Sequence, residues 1–179
     1  QPPELTHILV THADMDHVGS LAALYKASGA QIKAGAASVQ LIAQGKSPKH
    51  MPVIVQWLLD TFVKYGAVSK EKIAIFEDGD TLPFLGGLQV LATPGHTLDH
   101  FSFFSPTAGV LFAGDALNTR DGRINLTPPR ITADKTAARQ SGIRLLELSP
   151  AVIACGHGTP STNHTSDDLM HVFNTLRQE

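Results

Sequence analysis

Four apolar runs of this sequence each lead into a short turn that carries histidine or aspartate. "HILV" leads into "THADMDHVG", "GLQVLATP" into "GHT", "GVLFAG" into "DAL", and "AVIAC" into "GHGTP". Short β-branched runs bounded by Gly, Pro and Asp read as strands. Loops at strand ends are where functional groups are usually presented, and Gly lets the backbone bend closely around a ligand. His12, Asp14, Asp16, His17, His96, Asp115 and His157 therefore stand where they can converge. Taken singly, each of the nine histidines is better read as a surface or core residue. The joint pattern differs, because imidazole and carboxylate sets are what borderline and hard divalent metals need.

Between these turns the chain alternates. "HILV" is followed by "SLAALYKAS" with helical spacing, then by a strand near Gln31 to Ala34 and a helix in "ASVQLIAQG". "KSPKHMP" is too rich in Pro and Lys for a regular element and reads as a mobile loop bordering the pocket. Val53, Trp57, Leu58 and Phe62 fit a helix from Val53 to Tyr65 ended by Gly66, with Trp57 expected in the core. "KIAIF", "GLQVLATP", "HFSFF" and "GVLFAG" then read as consecutive strands of one antiparallel sheet. A helix in "ADKTAARQSGIRLLEL", a strand in "AVIA" and a closing helix in "TSDDLMHVFNTLR", with a capping box at Thr165 and Asp168, complete the order.

A chain of 179 residues, 42% apolar, can bury one sizeable core, so residues 1–179 are read as a single domain. Fourteen basic against sixteen acidic residues give no electrostatic case for nucleic acid or an anionic membrane. A small-molecule substrate is expected instead. Cys155 is the only cysteine, which excludes an intrachain disulfide, and no membrane span or signal peptide is visible. Cytoplasm is the default location. The first residues, "QPPELTH", lack a methionine, which fits a processed or truncated piece.

In this order and at these separations, "HADMDH", "TPGHT", "GD" and "GHG" resemble the metallo-β-lactamase superfamily, over essentially the whole chain. The resemblance implies an α/β fold, the four-layer αββα sandwich, with a two-metal site at the edge between the sheets. His12, Asp14 and His96 would hold the first metal; Asp16, His17 and His157 the second; and Asp115 would bridge them. Zinc is the first expectation for both ions, with manganese or iron as alternatives. One position departs: the family usually has His where this chain has Asp14. A carboxylate can still ligate a divalent metal, and flavodiiron proteins of the superfamily have Glu there. With a bridging hydroxide, Asp14 makes the cluster neutral, whereas His would leave it more positive and a better Lewis acid.

The resemblance further implies a hydrolase in which metal-bridging hydroxide attacks a carbonyl or phosphorus, with Asp16 and Asp115 as the catalytic carboxylates. His100 is a weaker candidate acid or base, better read as satisfying a local backbone group. His7, His50, His164 and His171 lack such context and receive no role; Cys155 is expected to pack rather than react. Asp115 argues against true β-lactamases. The chain ends 22 residues after His157, short of the helical extension of glyoxalase II enzymes, so that thioesterase role is disfavoured. Lactonases of acyl-homoserine lactones place a Tyr between the bridging Asp and the last His, and here the tyrosines are Tyr25 and Tyr65. A small ester, lactone or thioester remains. The alternatives are a di-iron redox protein of the flavodiiron type and a metal-poor, non-catalytic domain. Few residues precede His12, so part of the N-terminal sheet is expected to be missing. A second copy in a homodimer, or a preceding segment, would complete it.

Overall fold

The structure, a computed structural model, describes residues 4–120, 122–162, 164 and 166–178. The first sheet begins with β1 (His7–Leu9). Strands laid parallel need long crossovers. α1 (Met15–Val18) and α2 (Leu21–Ser28) supply the crossover to β2 (Gln31–Ala34). α3 (Ala36–Gln44) and α4 (Val53–Phe62) supply the next, to β3 (Ile73–Ile75). The strands pair in the order β1-β2-β3, all parallel. Val18, Leu21, Val39 and Ile42 pack on Ile32, Ala34 and Ile73 to bury the helix-covered face.

The second sheet is mostly a meander. β4 (Thr81–Leu82), β5 (Leu88–Ala92), β6 (Phe101–Ser105) and β7 (Val110–Gly114) pair antiparallel in sequence order. A ribbon of β8 (Leu117–Asn118) and β9 (Asn125–Leu126) follows. α5 (Lys135–Glu147) starts at Asp134, whose carboxylate accepts from the Ala137 N–H at 2.9 Å. It returns the chain to β10 (Val152–Cys155), which joins parallel to β7. α6 (Ser166–Gln178) and α5 cover this sheet, with Leu145, Leu169 and Leu176 against Leu111 and Ile153.

Strand direction fixes where the turns meet. β6 is antiparallel to both β5 and β7, and β10 is parallel to β7, so β5, β7 and β10 all finish at one edge. The end of β1 is tied to that edge by the Phe101 N–H, which donates to the Thr11 carbonyl at 2.8 Å. Leu9 also packs into a cluster with Phe76, Val90 and Phe103 that joins the two sheets.

Three expectations change. "KIAIF" belongs to the first sheet, paired parallel with β2, because the crossover through α3 and α4 returns it beside β2 rather than into the meander. The fourth helix ends at Phe62, and residues 63–69 form no regular element. Trp57 is not a core residue: it is 60% exposed, as Val53, Ile54 and Phe62 are exposed too. The side of α4 turned inward is set by buried Gln56, whose Oε1 accepts the N–H groups of His50 and Met51. Thr165 of the expected capping box lies outside the described residues. Among the described residues no helix is long and apolar enough to cross a membrane. Trp57→Ser is therefore expected to leave stability within about 0.5 kcal/mol. Leu111→Ala, at a fully buried position, should cost about 2–5 kcal/mol; urea unfolding of both variants checks the contrast.

Candidate metal centre

The turn after β1 carries four of the expected residues. Its backbone is held by Asp99: Oδ2 accepts from the Ala13 N–H at 3.1 Å and from Ser38 Oγ at 2.6 Å. Asp14 caps α1 with extended backbone, and its own side chain makes no capping bond to that helix. The carboxylate points instead to imidazoles. Asp14 Oδ2 lies 3.5 Å from His12 Nε2, 3.2 Å from His96 Nε2 and 3.2 Å from His50 Nε2.

Asp115, directly after β7, gathers the rest. Its Oδ1 is 3.3 Å from His17 Nε2, and its Oδ2 is 3.3 Å from His157 Nε2 and 3.7 Å from His96 Nε2. Asp16 Oδ2 is 3.2 Å from His157 Nε2 and 4.0 Å from His17 Nε2. Three sets have ligand atoms within 4.8 Å of one another: His12, Asp14 and His96; His12, His17 and Asp115; and Asp16, His17 and His157. All seven expected residues come together. The first set is buried, while Asp16 is exposed and His17 and His157 are half-buried, so one end of the centre is open to solvent.

Burial alone would push the Asp14 carboxyl upward; the approach of His12 and His96 and the charge of His50 outweigh it and hold it well below its ordinary range. Burial acts the same way on Asp115, but His17 beside it brings the carboxyl down to about 2. His17 is the counterpart: burial lowers it, yet the Asp115 carboxylate prevails and raises it. His12 Nε2, His50 Nε2 and Asp115 Oδ1 are buried without a hydrogen-bond partner. A divalent cation fits this donor set, because buried lone pairs facing carboxylates need positive charge between them.

The supporting residues explain the geometry. His96 Nδ1 lies 2.8 Å from the Ile131 carbonyl, which leaves Nε2 as the inward lone pair. His100 is fully inside, and burial keeps it neutral. Its Nε2 accepts the Asp115 N–H at 2.9 Å, so Nδ1 bears the proton and donates to Thr93 Oγ1 at 2.8 Å. Thr93 passes to Ser102 Oγ, and Ser102 donates to the Ala113 carbonyl. His100 is thus a positioning residue for Asp115, as the backbone reading anticipated. Thr127 Oγ1 donates to the Asp115 carbonyl. Gly156 has to be Gly: a Cβ there would overlap Asp115 Oδ1 and lie 2.6 Å from His17 Cε1.

Sequence reasoning missed two residues. His50, given no role above, is brought by the loop before α4 to 3.2 Å from Asp14 Oδ2, with its side chain 2% exposed. Burial lowers its basicity against the opposing pull of Asp14. No spacing rule links position 50 to position 14; the third dimension supplies the contact. Asp99 sat in view in "HTLDHF", but its acceptor role needs the fold. His7 stacks edge-on against Phe84, and His164 lies between Ser161 and the Pro150 carbonyl, both away from the centre. The His171 side chain lies outside the described residues. Cys155 packs against the second-sheet core, and burial pushes its thiol up to about 12. A cavity of about 920 Å³ between β9, α5 and α6 is lined by none of the seven residues, so the chemistry is not sited there.

The sequence pattern of the metallo-β-lactamase superfamily matches residues 1–157, ending on His157. The chain belongs to that superfamily. Relatives include the probable metallo-hydrolase YflN of Bacillus subtilis, 28% identical over 97% of this chain and 72% of YflN. A hydroxyacylglutathione hydrolase of Rhodobacter capsulatus is 32% identical over 89% of this chain and 51% of that enzyme. The chain thus spans about half the length of that hydrolase. Among solved structures, TTHA1623 in a di-iron-bound form aligns with a TM-score of 0.65 and 27% identity, over 87% of this chain and 71% of that one. An α/β metallo-β-lactamase fold follows, and both of these sequence relatives are named hydrolases.

Within this superfamily frame, Asp99→Ala leaves the Ala13 N–H without an acceptor. Stability should fall by about 1–3 kcal/mol, and metal affinity by about 10–100-fold, as for other supporting partners. Chelator competition and urea unfolding measure both. Because His17 is raised above its usual 6.5, more of it is protonated near neutral pH, and a protonated imidazole cannot ligate. Metal uptake should therefore release protons and weaken as pH falls; calorimetry in buffers of different ionisation enthalpy reads the release.

Proposed function

We propose that this domain is a binuclear metal-dependent hydrolase acting on a small ester, lactone or thioester. The observation that carries the proposal is the pair of carboxylates, Asp14 and Asp115, each facing several imidazole Nε2 atoms at 3.2–3.7 Å. His12, Asp14 and His96 would hold one ion, Asp16, His17 and His157 the other, and Asp115 would reach both. When bound, such ions supply Lewis acidity and an activated water at neutral pH. Zinc leads, and the carboxylate-rich donor set together with the di-iron form of TTHA1623 keeps iron and manganese in the class.

The chain's own residues then divide the work. Asp16 is the most exposed carboxylate of the set, with 54% of its side chain accessible. It orients the attacking water on the open side and carries its proton to solvent. His100 holds Asp115 from behind through the Asp115 N–H, which keeps that carboxylate aligned during the reaction. Substrate would enter past Asp16 and His157, at the solvent-exposed end of the centre. Thioesters stand first because a relative of 32% identity is named a hydroxyacylglutathione hydrolase. That keeps in the class a branch the sequence alone disfavours. Read as an αββα sandwich, the domain has β1 at the edge of its three-stranded sheet, where a preceding segment or a second copy would add strands.

The test is elemental analysis joined to a substrate screen. The purified chain should approach two ions, and the loaded protein should hydrolyse at least one thioester, lactone or ester. Asp16→Asn should weaken affinity for one of the two ions and, at saturating metal, lose about 100-fold or more in kcat. A folded, metal-saturated protein with a single ion, or without hydrolysis across the panel, would sink the proposal. Asp14→His removes a negative charge from the centre, so the acidic limb of kcat/KM should move to lower pH and zinc should be retained over manganese. An unmoved limb with unaltered metal preference would show Asp14 is no ligand.

A further inference from the structure

We propose that His50 is a metal ligand of the first site, supplying from the loop before α4 the imidazole that the "HADMDH" turn lacks at Asp14. The inference rests on the binuclear reading above and assigns that site one more donor. Three Nε2 atoms, from His12, His50 and His96, surround a single carboxylate oxygen, Asp14 Oδ2, at 3.5, 3.2 and 3.2 Å. His50 lies outside the sets whose ligand atoms all fall within 4.8 Å of one another, so its ring would swing toward His12 and His96 about Asp14 when one ion takes all three imidazoles. With Asp115, which would reach both ions, the first site would then have five nitrogen and oxygen donors of the kind divalent metals take.

The tautomer fits ligation. His50 Nδ1 lies 3.3 Å from the Pro48 carbonyl, which can only accept, so the ring proton sits on Nδ1 and Nε2 presents a lone pair. His96 is arranged in the same way, with Nδ1 against the Ile131 carbonyl at 2.8 Å and Nε2 turned to Asp14. A ring nitrogen fixed by a backbone carbonyl is the usual support of a ligating histidine. His50 Nε2 is buried and has no hydrogen-bond partner. Two lone pairs facing each other across 3.2 Å, one on nitrogen and one on a carboxylate, repel unless a proton or a metal ion lies between, and the test below separates the two.

The loop is built to deliver this ring. At its start the Lys46 carbonyl accepts from Tyr65 Oη at 2.7 Å. At its end Gln56 Oε1 takes the N–H groups of His50 and Met51 at 3.2 and 3.3 Å, while Gln56 Nε2 donates to Asp60 at 3.0 Å. The His50 ring also packs edge-on against His96, with centroids 4.7 Å apart. Gln56 is one of the few inward-facing residues of an otherwise exposed, apolar helix. Its burial has a ready explanation if the helix exists partly to pin His50.

The deciding experiment uses anomalous diffraction from crystals of the zinc-loaded full chain, paired with metal-binding measurements on His50→Gln and His12→Ala. Ligation predicts His50 Nε2 at about 2.0–2.1 Å from an ion shared with His12 and His96. It also predicts that His50→Gln loses at least about 100-fold in affinity for one ion, more than an outer supporting contact gives, while retaining the other. An ion held by His12 and His96 with His50 turned away overturns the assignment, whatever His50→Gln does. Wild-type affinity in His50→Gln overturns it equally. If His12→Ala loses an ion and His50→Gln does not, only His50 falls. If the wild-type chain binds no zinc at saturation, the binuclear reading falls with it. Should His50→Gln fail to fold, the wild-type diffraction decides alone.

Discussion

Two carboxylates buried among imidazoles are the constraint around which this domain is built. Asp14 and Asp115 are each about nine-tenths or more buried, and an isolated buried carboxylate is strongly disfavoured unless it is paired. Both stay well below the ordinary range because His12, His96, His50 and His17 stand against them. The same concentration of buried carboxylate charge would oppose folding if nothing positive, a protonated imidazole or a metal ion, stood against it. A divalent ion held there would turn the cluster from a liability into a joint between the two sheets.

Everything adjacent holds that joint still. The bond from the Phe101 N–H to the Thr11 carbonyl brings the end of β1 against the start of β6, and Asp99 clamps Ala13 within the same turn. The chain from the Asp115 N–H through His100, Thr93 and Ser102 to the Ala113 carbonyl fixes Asp115 from the core side. Gly156 lets β10 approach from the other side with no side chain intervening. The result is asymmetric. One end, with Asp14, is sealed by the loop that carries His50, and the other, with Asp16 and His157, faces solvent. In the proposed hydrolase the sealed half would retain its ion tightly, while the open half would admit water and substrate.

The departure at Asp14 is easier to understand with His50 in place. If His50 ligates as proposed, a carboxylate in the turn and an imidazole from a distant loop would together leave as many nitrogen donors as the family's usual first site, with an added negative charge. The added charge lowers Lewis acidity.

By itself the sequence determined the strand-end turns, the seven convergent residues and the family, because those signals are local: an apolar run, a Gly, and a His or Asp within a few positions. It also located β1, β2, α2, α3 and the closing helix, where hydrophobic period and flanking glycines agree. Only the tertiary structure decided that "KIAIF" pairs with β2, since strand partnership depends on where a crossover returns the chain. It alone turned Trp57 outward, because a helix apolar on most of its circumference does not announce its buried side, and here buried Gln56 sets it. Asp99 and His50 were illegible for the same reason. Their partners, Ala13 and Asp14, lie 86 and 36 positions away in the sequence, and no periodicity spans such distances; contact there is made by packing.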